Sequence, residues 1–306
     1  MIETMLMGKG YDPSVPLEGR LSKLGNGPVS RYSHVAAEIG GKIYYFGGIT
    51  PSGLSNQLSV YDPVDNTWTN LNPVTKPPAR RSVSHGVING ELYIYGGWNG
   101  SSLFYNDTWK YNPVTNTWTR LKDGPGIGAA AFGGVNGSDL FIFGGWNGQR
   151  VRTLYRYNAI DDSWTLISNS GPSPRNWSSV WVKNDSIYVY GGYYHPYIYN
   201  DLWRYDLQSN VWVQLKNGPS PRLMSMTVSS GNVLYLIGGN NSGGTLFTSG
   251  SFREQWRYLI DDDNWERMDD LPTTLAASAP VLIGDRFYLH GGLSGSTIMS
   301  DIWTYS

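Results

Sequence analysis

Six Gly-Gly pairs recur along the chain, beginning at Gly47, Gly96, Gly144, Gly191, Gly238 and Gly291, at intervals of 49, 48, 47, 47 and 53 residues. A period of that length marks a chain assembled from one repeated supersecondary unit. Each pair closes a short apolar or alternating run: KIYYFGG, ELYIYGG, DLFIFGG, SIYVYGG, VLYLIGG and RFYLHGG. Runs rich in Tyr, Ile, Phe and Leu that end at glycine read as β-strands. Downstream of every pair but the last stands a tryptophan: Trp68, Trp118, Trp164, Trp212 and Trp265. A further run, such as NDTWKYNP or NDLWRYDL, lies between the two marks, and another, such as SHVAAEI, precedes the Gly-Gly strand.

Four strands per unit of about 48 residues is the pattern of a propeller blade. The double glycine, the Trp and a Tyr ahead of it (Tyr61, Tyr111, Tyr157 and Tyr205, with Tyr258 in the same place) resemble the kelch repeat over nearly the whole chain. The expected fold is all-β: a six-bladed kelch-type β-propeller spanning 1–306 as a single unit. One blade cannot bury both its faces, so a stack of blades becomes stable by closing on itself. The five Trp serve that packing, since burying one removes roughly 150–250 Å² from water.

The sixth unit ends at Ser306 without a fourth strand, whereas YDPSVPLEGRLSKLGNGP near the N-terminus follows the layout of YDPVDNTWTNLNPVTKPP. Residues 18–25 are therefore expected to form the outer strand of the blade made by 276–306, with Leu21 near the Trp position. The resemblance implies the same closure, which other propellers also use.

Composition narrows the function classes. A formal net charge of −1 and 15% charged residues argue against a general nucleic-acid binder, which needs excess Lys and Arg. The absence of cysteine excludes disulfides and thiolate metal sites. The start MIETMLMGKGYDP lacks the basic segment and apolar stretch of a secretory signal, and no apolar run is long enough for membrane insertion. A cytoplasmic or virion-associated location is the expectation from that reading.

In a propeller, the loops joining strand d to the next strand a, and strand b to strand c, emerge on one face. Here those loops are longer and more varied than the turns of the opposite face, which marks them as the binding face. Counting back 16 residues from each first glycine gives Arg31, Arg80, Gly128, Arg175, Arg222 and Leu275. The kelch resemblance implies that Arg residues here bind acidic peptide motifs, and the planar guanidinium fork suits carboxylates. A repeat-encoded structural Arg fits the same spacing. The b–c loops add Trp98, Asn99, Trp146, Asn147, Tyr193, Tyr194, His195, Asn240 and Asn241, with Trp177 close by. Aromatics mixed with Asn, Ser and Gly suit adaptable protein contacts or sugar stacking. The fifth unit carries the expanded loop NNSGGTLFTSGSF.

Enzyme readings are weaker. The four His (His34, His85, His195 and His290) form no metal-binding spacing, and His34 and His85 fall near the axis. The copper oxidase relatives need a Tyr–Cys crosslink, which this chain cannot make, and the Glu-x3-Asp-x3-His iron motif of plant nitrile-specifier proteins is absent. Asp161-Asp162 and Asp261-Asp262-Asp263 read as solvated turns rather than calcium ligands. No cofactor or metal is expected. The leading expectation is a non-catalytic binding or assembly module for a protein or glycan, with a receptor-binding component of a virion or cell surface as one form of it. The alternative is a carbohydrate-acting enzyme resembling the sialic-acid mutarotase.

Overall fold

The computed structural model describes residues 21–126, 132–243 and 250–305. Among them the chain forms six four-stranded antiparallel sheets and three two-stranded ribbons, with no helix. Blade 1 comprises Val35–Ile39, Lys42–Phe46, Leu58–Asp62 and Thr67–Leu71 as strands a to d. The same order recurs in blades 2 to 5, whose a strands are Ser84–Ile88, Phe132–Asn136, Ser179–Lys183 and Met226–Ser230. Each a strand touches the a strand of the next blade, and that of blade 6, Ala279–Ile283, returns to blade 1. This closed ring of inner strands is a six-bladed propeller.

Blade 6 draws its strands from both ends of the chain, with Leu21–Asn26 hydrogen-bonded to Asp301–Tyr305. The strand expected over 18–25 thus runs to Asn26, and residues 18–20 lie outside the described residues. Its register explains why Leu21 stands in for tryptophan. Tyr61 faces Trp68, Tyr111 faces Trp118, Tyr157 faces Trp164, Tyr205 faces Trp212 and Tyr258 faces Trp265; in blade 6, Tyr305 faces Leu21.

The repeat marks have separable physical jobs. Each of the repeated Tyr donates its hydroxyl to the c–d turn: Tyr61 to Asn66, Tyr111 to Asn116, Tyr157 to Asp162, Tyr205 to Asn210 and Tyr258 to Asp263. Those five acceptors have positive φ, where Asn and Asp are best tolerated among residues with a side chain. Each Trp lies on its own blade's Tyr, at ring separations of 4.9 to 5.2 Å, and reaches across to the preceding blade. Phe46 meets Trp118, Tyr95 meets Trp164, Phe143 meets Trp212 and Tyr190 meets Trp265. The residue just before each Gly-Gly is thus the tooth that one blade sets into the next.

The glycines bring the blades' main chains together. Gly47 has φ 69°, and a Cβ there would stand 2.8 Å from the Arg80 carbonyl oxygen of blade 2. That same carbonyl accepts a hydrogen bond from the Gly48 amide at 2.8 Å. The contact recurs from Gly145 to Arg175, Gly192 to Arg222, Gly239 to Leu275 and Gly292 to Arg31. At the axis, Ser33, Ser82, Trp177, Met224 and Ala277 all have positive φ. Their amides and carbonyls link blade to blade: Ser33 to Ala277, Ser82 to Ser33, Met224 to Trp177 and Ala277 to Met224. Among the described residues they form a main-chain collar running from blade 2 through blades 1, 6 and 5 to blade 4, beside a central cavity of about 300 Å³ lined by His34, His85, Ser178, Ser225 and Ser278 among others.

Candidate functional site

The Arg ring is not a ligand surface. Arg31, Arg80, Arg175 and Arg222 are at most 1% exposed, so no docking partner reaches them in this structure. Each of the last three turns its fork back into its own blade. Arg80 donates from Nε to the Pro78 carbonyl, from Nη1 to the Gly96 carbonyl, and from both terminal nitrogens to the Asp107 carboxylate at 2.6 and 2.8 Å. Arg175 repeats this with Ser173, Gly191 and Asp201. Arg222 repeats it with Ser220, Gly238 and Glu254. An aromatic ring lids each guanidinium: Tyr105, Tyr199 and Phe252 lie 4.0 to 4.1 Å away. Neighbouring indoles donate to the same acids, Trp109 to Asp107, Trp203 to Asp201 and Trp256 to Glu254. Burial is the largest single influence and works to raise the Asp107 and Glu254 carboxyls, but the arginine and the neighbouring indole together outweigh it and hold them below the usual carboxylate range. The three arginines are clasps tying strands a, b and c of one blade at its loop end.

Arg31 departs from its three counterparts. Gln57 stands where they have an acid, and its side-chain oxygen accepts a single bond from Arg31 at 3.3 Å. Nε and Nη1 of Arg31 have no partner among the described residues. Burial lowers its pKa to about 10. Gly128, the blade 3 counterpart, lies outside the described residues, and blade 6 has Leu275 there.

The remaining predicted residues divide. Asn240 is fully buried and holds its own loop, accepting from the Ser242 amide and hydroxyl and donating to Ser251, so it too is removed from the binding surface. Asn99 accepts from the Ser101 amide and hydroxyl and the Leu103 amide, and Asn147 accepts from the Gln149 amide. Both shape the loops that present their neighbours. Tyr193 is buried and stacks on half-buried Trp177 at 6.1 Å, while its hydroxyl bonds the His195 ring at 2.9 Å. Trp98 and Trp146 are half-buried, and Tyr194, His195 and Asn241 are exposed.

Two cations that the repeat spacing did not single out organise this surface. Arg150 lies 4.9 Å from the Trp146 ring, 4.5 Å from Tyr193 and 5.8 Å from Tyr194, and its Nε donates to Asn176. Arg81 lies 4.3 Å over Trp98, which stacks on Phe104. Among the described residues neither forms an ion pair with a carboxylate, and burial lowers the pKa of both. Tyr194, Tyr197 and Leu103 extend the patch as exposed apolar groups. The signal for Arg150 was its place just after the WNG of the third unit, where an aromatic and a cation can stack, whereas Arg81 reaches Trp98 through an antiparallel bridge that only the fold makes.

No group of three or more metal-ligating side chains occurs among the described residues. Asp162 and Asp263 receive the Tyr157 and Tyr258 hydroxyls and the Lys122 and Lys216 amides, so their acidity is used in turn structure. Residues 244–249 of the expanded fifth loop lie outside the described residues.

The closed ring, the clasped repeats and the loop face together define a kelch-type propeller. The chain belongs to the Attractin/LZTR1 β-propeller family, whose sequence profile matches residues 72–242, and a kelch motif matches residues 30–75. It is similar to the Kelch-like protein terF of Aspergillus terreus, at 25% identity over 95% of this chain and 68% of that protein. Kelch domain-containing protein 10 of Rattus norvegicus is 30% identical over 46% of this chain and 37% of its own length. The leucine-zipper-like transcriptional regulator 1 homolog of Drosophila melanogaster is 29% identical over 72% of this chain. The chain spans 25% of that fly protein and 37% of the rat one, so most of those two proteins lies outside the matched region. No helix among the described residues is long and apolar enough to cross a membrane.

Proposed function

We propose that this propeller is a non-catalytic protein-recognition module, which docks an acidic or polar segment of a partner on its loop face. The observation that carries the reading is the pair Arg81 and Arg150, held against aromatic rings with no carboxylate partner among the described residues. The acids of that face, Asp107, Asp201 and Glu254, are meanwhile consumed by internal arginines. The surface therefore offers cations and rings but has little free acid for general acid–base chemistry. Arginine and aromatic side chains are also the types that dominate binding energy at protein interfaces. Membership of a family of kelch propellers supports a recognition role. The relatives named above lend no support to a virion or glycan role.

The test is an array of acidic peptides beside charge-neutral versions and a glycan panel. Acidic peptides should bind, with affinity falling as salt rises. Arg150→Ala and Tyr194→Ala should each weaken capture by roughly tenfold or more, with an unchanged melt. Indifference to peptide charge, or binding confined to glycans, sinks the reading.

A further inference from the structure

The tooth before each Gly-Gly is Phe46, Tyr95, Phe143, Tyr190, Ile237 and His290 in the six blades. Five are aromatic hydrocarbon, phenol or aliphatic groups. Blade 6 alone sets an imidazole into its neighbour. The His290 ring lies 4.9 Å from the Trp68 ring and 4.9 Å from the Tyr45 ring of blade 1, and 5.6 Å from that of His34. It is fully buried, and neither ring nitrogen has a partner among the described residues. Where Tyr95 and Tyr190 donate their hydroxyls to carbonyls of the d–a link, at Pro125 and Ser220, His290 makes no such bond. It packs directly beneath Gly27, on the link that leaves the N-terminal strand.

The surroundings hold positive charge and no compensating acid. From blade 1 come Arg31, lacking its carboxylate, and His34, whose two ring nitrogens are also unpartnered. Tyr45 shares a core cluster with Tyr61 and Tyr288, and burial is the main cause raising its pKa. From blade 2, His85 bears on His34 and is itself bonded to the Ala36 carbonyl. Within blade 6, Ser278 spends its hydroxyl on the His290 carbonyl, and Asp301 is engaged by Lys23. A proton added to either imidazole would place a charge in a buried site beside an unpaired guanidinium, a large cost without a counter-ion.

We propose that His290 and His34 make the junction between blades 6 and 1 an acid-operated latch, which loosens the ring at the blade where the two ends of the chain meet. The teeth of the other inter-blade junctions are Phe, Tyr or Ile, and His85, at the junction of blades 1 and 2, differs from the latch pair in keeping a hydrogen bond to the Ala36 carbonyl. Burial is the main cause lowering the pKa of both histidines, with Arg31 adding to it. The unfolded or opened chain therefore binds protons that the closed ring excludes, so stability falls as pH drops below about 6.5. For His290 the decline continues toward a closed-state value of about 3, below which it levels off. The released element is the strand Leu21–Asn26, which is joined to this junction through Gly27.

Urea unfolding of the full chain from pH 7.5 to 5.0, paired with hydrogen exchange, tests this. Each excluded proton should cut the folded-to-unfolded ratio by up to about tenfold per pH unit below about 6.5. Exchange at 21–26 should accelerate before exchange at the inner strands of blades 2 to 5. His290→Phe and His290→Tyr copy teeth already used by other blades, and His34→Val copies Val83, so each has a precedent in this fold. Each should make the pH dependence shallower by about one proton and keep 21–26 protected at pH 5.0. Unchanged slopes in all three variants that fold overturn the latch, as does acid opening that begins in another blade.

Discussion

Blades 4 and 1 place an arginine at the same point, 16 residues before the first glycine, and do opposite things with it. In blade 4, Arg175 is completely buried yet fully engaged: two backbone carbonyls, a bidentate carboxylate and the Tyr199 ring surround it. Arg31 in blade 1 is equally buried and has one long hydrogen bond to Gln57. Arg31 lacks the acid at the start of strand c, and its Nε and Nη1 also lack the carbonyl bonds that hold Arg175. The contrast teaches that a buried charge in this fold is a stabilising clasp only as a pair, and a standing cost when alone.

Removing the N-terminal strand should have the largest effect. Deleting residues 1–26 strips blade 6 of its outer strand and the Leu21 packing, and should abolish the cooperative thermal transition; a near-native melt would show that blade 6 closes without it. Next in size, Asp201→Ala should cost about 3–5 kcal/mol by stranding Arg175, whereas Gln57→Ala, which strands nothing further, should cost less than about 1 kcal/mol. Equal losses in urea titrations would erase the contrast between the blades. Arg31→Met should be neutral or stabilising by about 1–2 kcal/mol, while Arg175→Met, which orphans Asp201, should destabilise. Smallest is the repair Gln57→Asp, which should add about 1 kcal/mol near neutral pH. That gain should fade as pH falls through the new carboxylate's own range, because pairing with Arg31 lowers the pKa of such an acid relative to the unfolded chain.

Periodicity made the blade count and the closing strand legible, since Gly-Gly and Trp are tied to main-chain register and recur wherever the register does. The Arg spacing was legible for the same reason, but spacing locates a backbone position and not the direction of its side chain. The signal that would have settled it was the acid two residues ahead of Trp109, Trp203 and Trp256, in NDTW, NDLW and REQW. Those acids sit 26 to 32 residues beyond their arginines in sequence and meet them only once strand c lies beside strand b. Arg150 lies in a loop where each blade differs, and Arg81 occupies a recurring bridge position at which the other blades carry Tyr32, Asn176, Leu223 and Ala276. A loop position such as Asn240 suggests an outward side chain, but here the loop folds over it.

The main-chain collar at the axis has a consequence for how the mouth of the cavity can vary. Ser33, Ser82, Trp177, Met224 and Ala277 hold successive blades together through amides and carbonyls, so the joint is indifferent to what hangs from each Cα. The left-handed backbone disfavours β-branched side chains there, and otherwise a hydroxyl, an indole, a thioether and a methyl already coexist on one rim. A new mouth chemistry can thus be written one residue at a time, with the ring's mechanical integrity left out of the exchange.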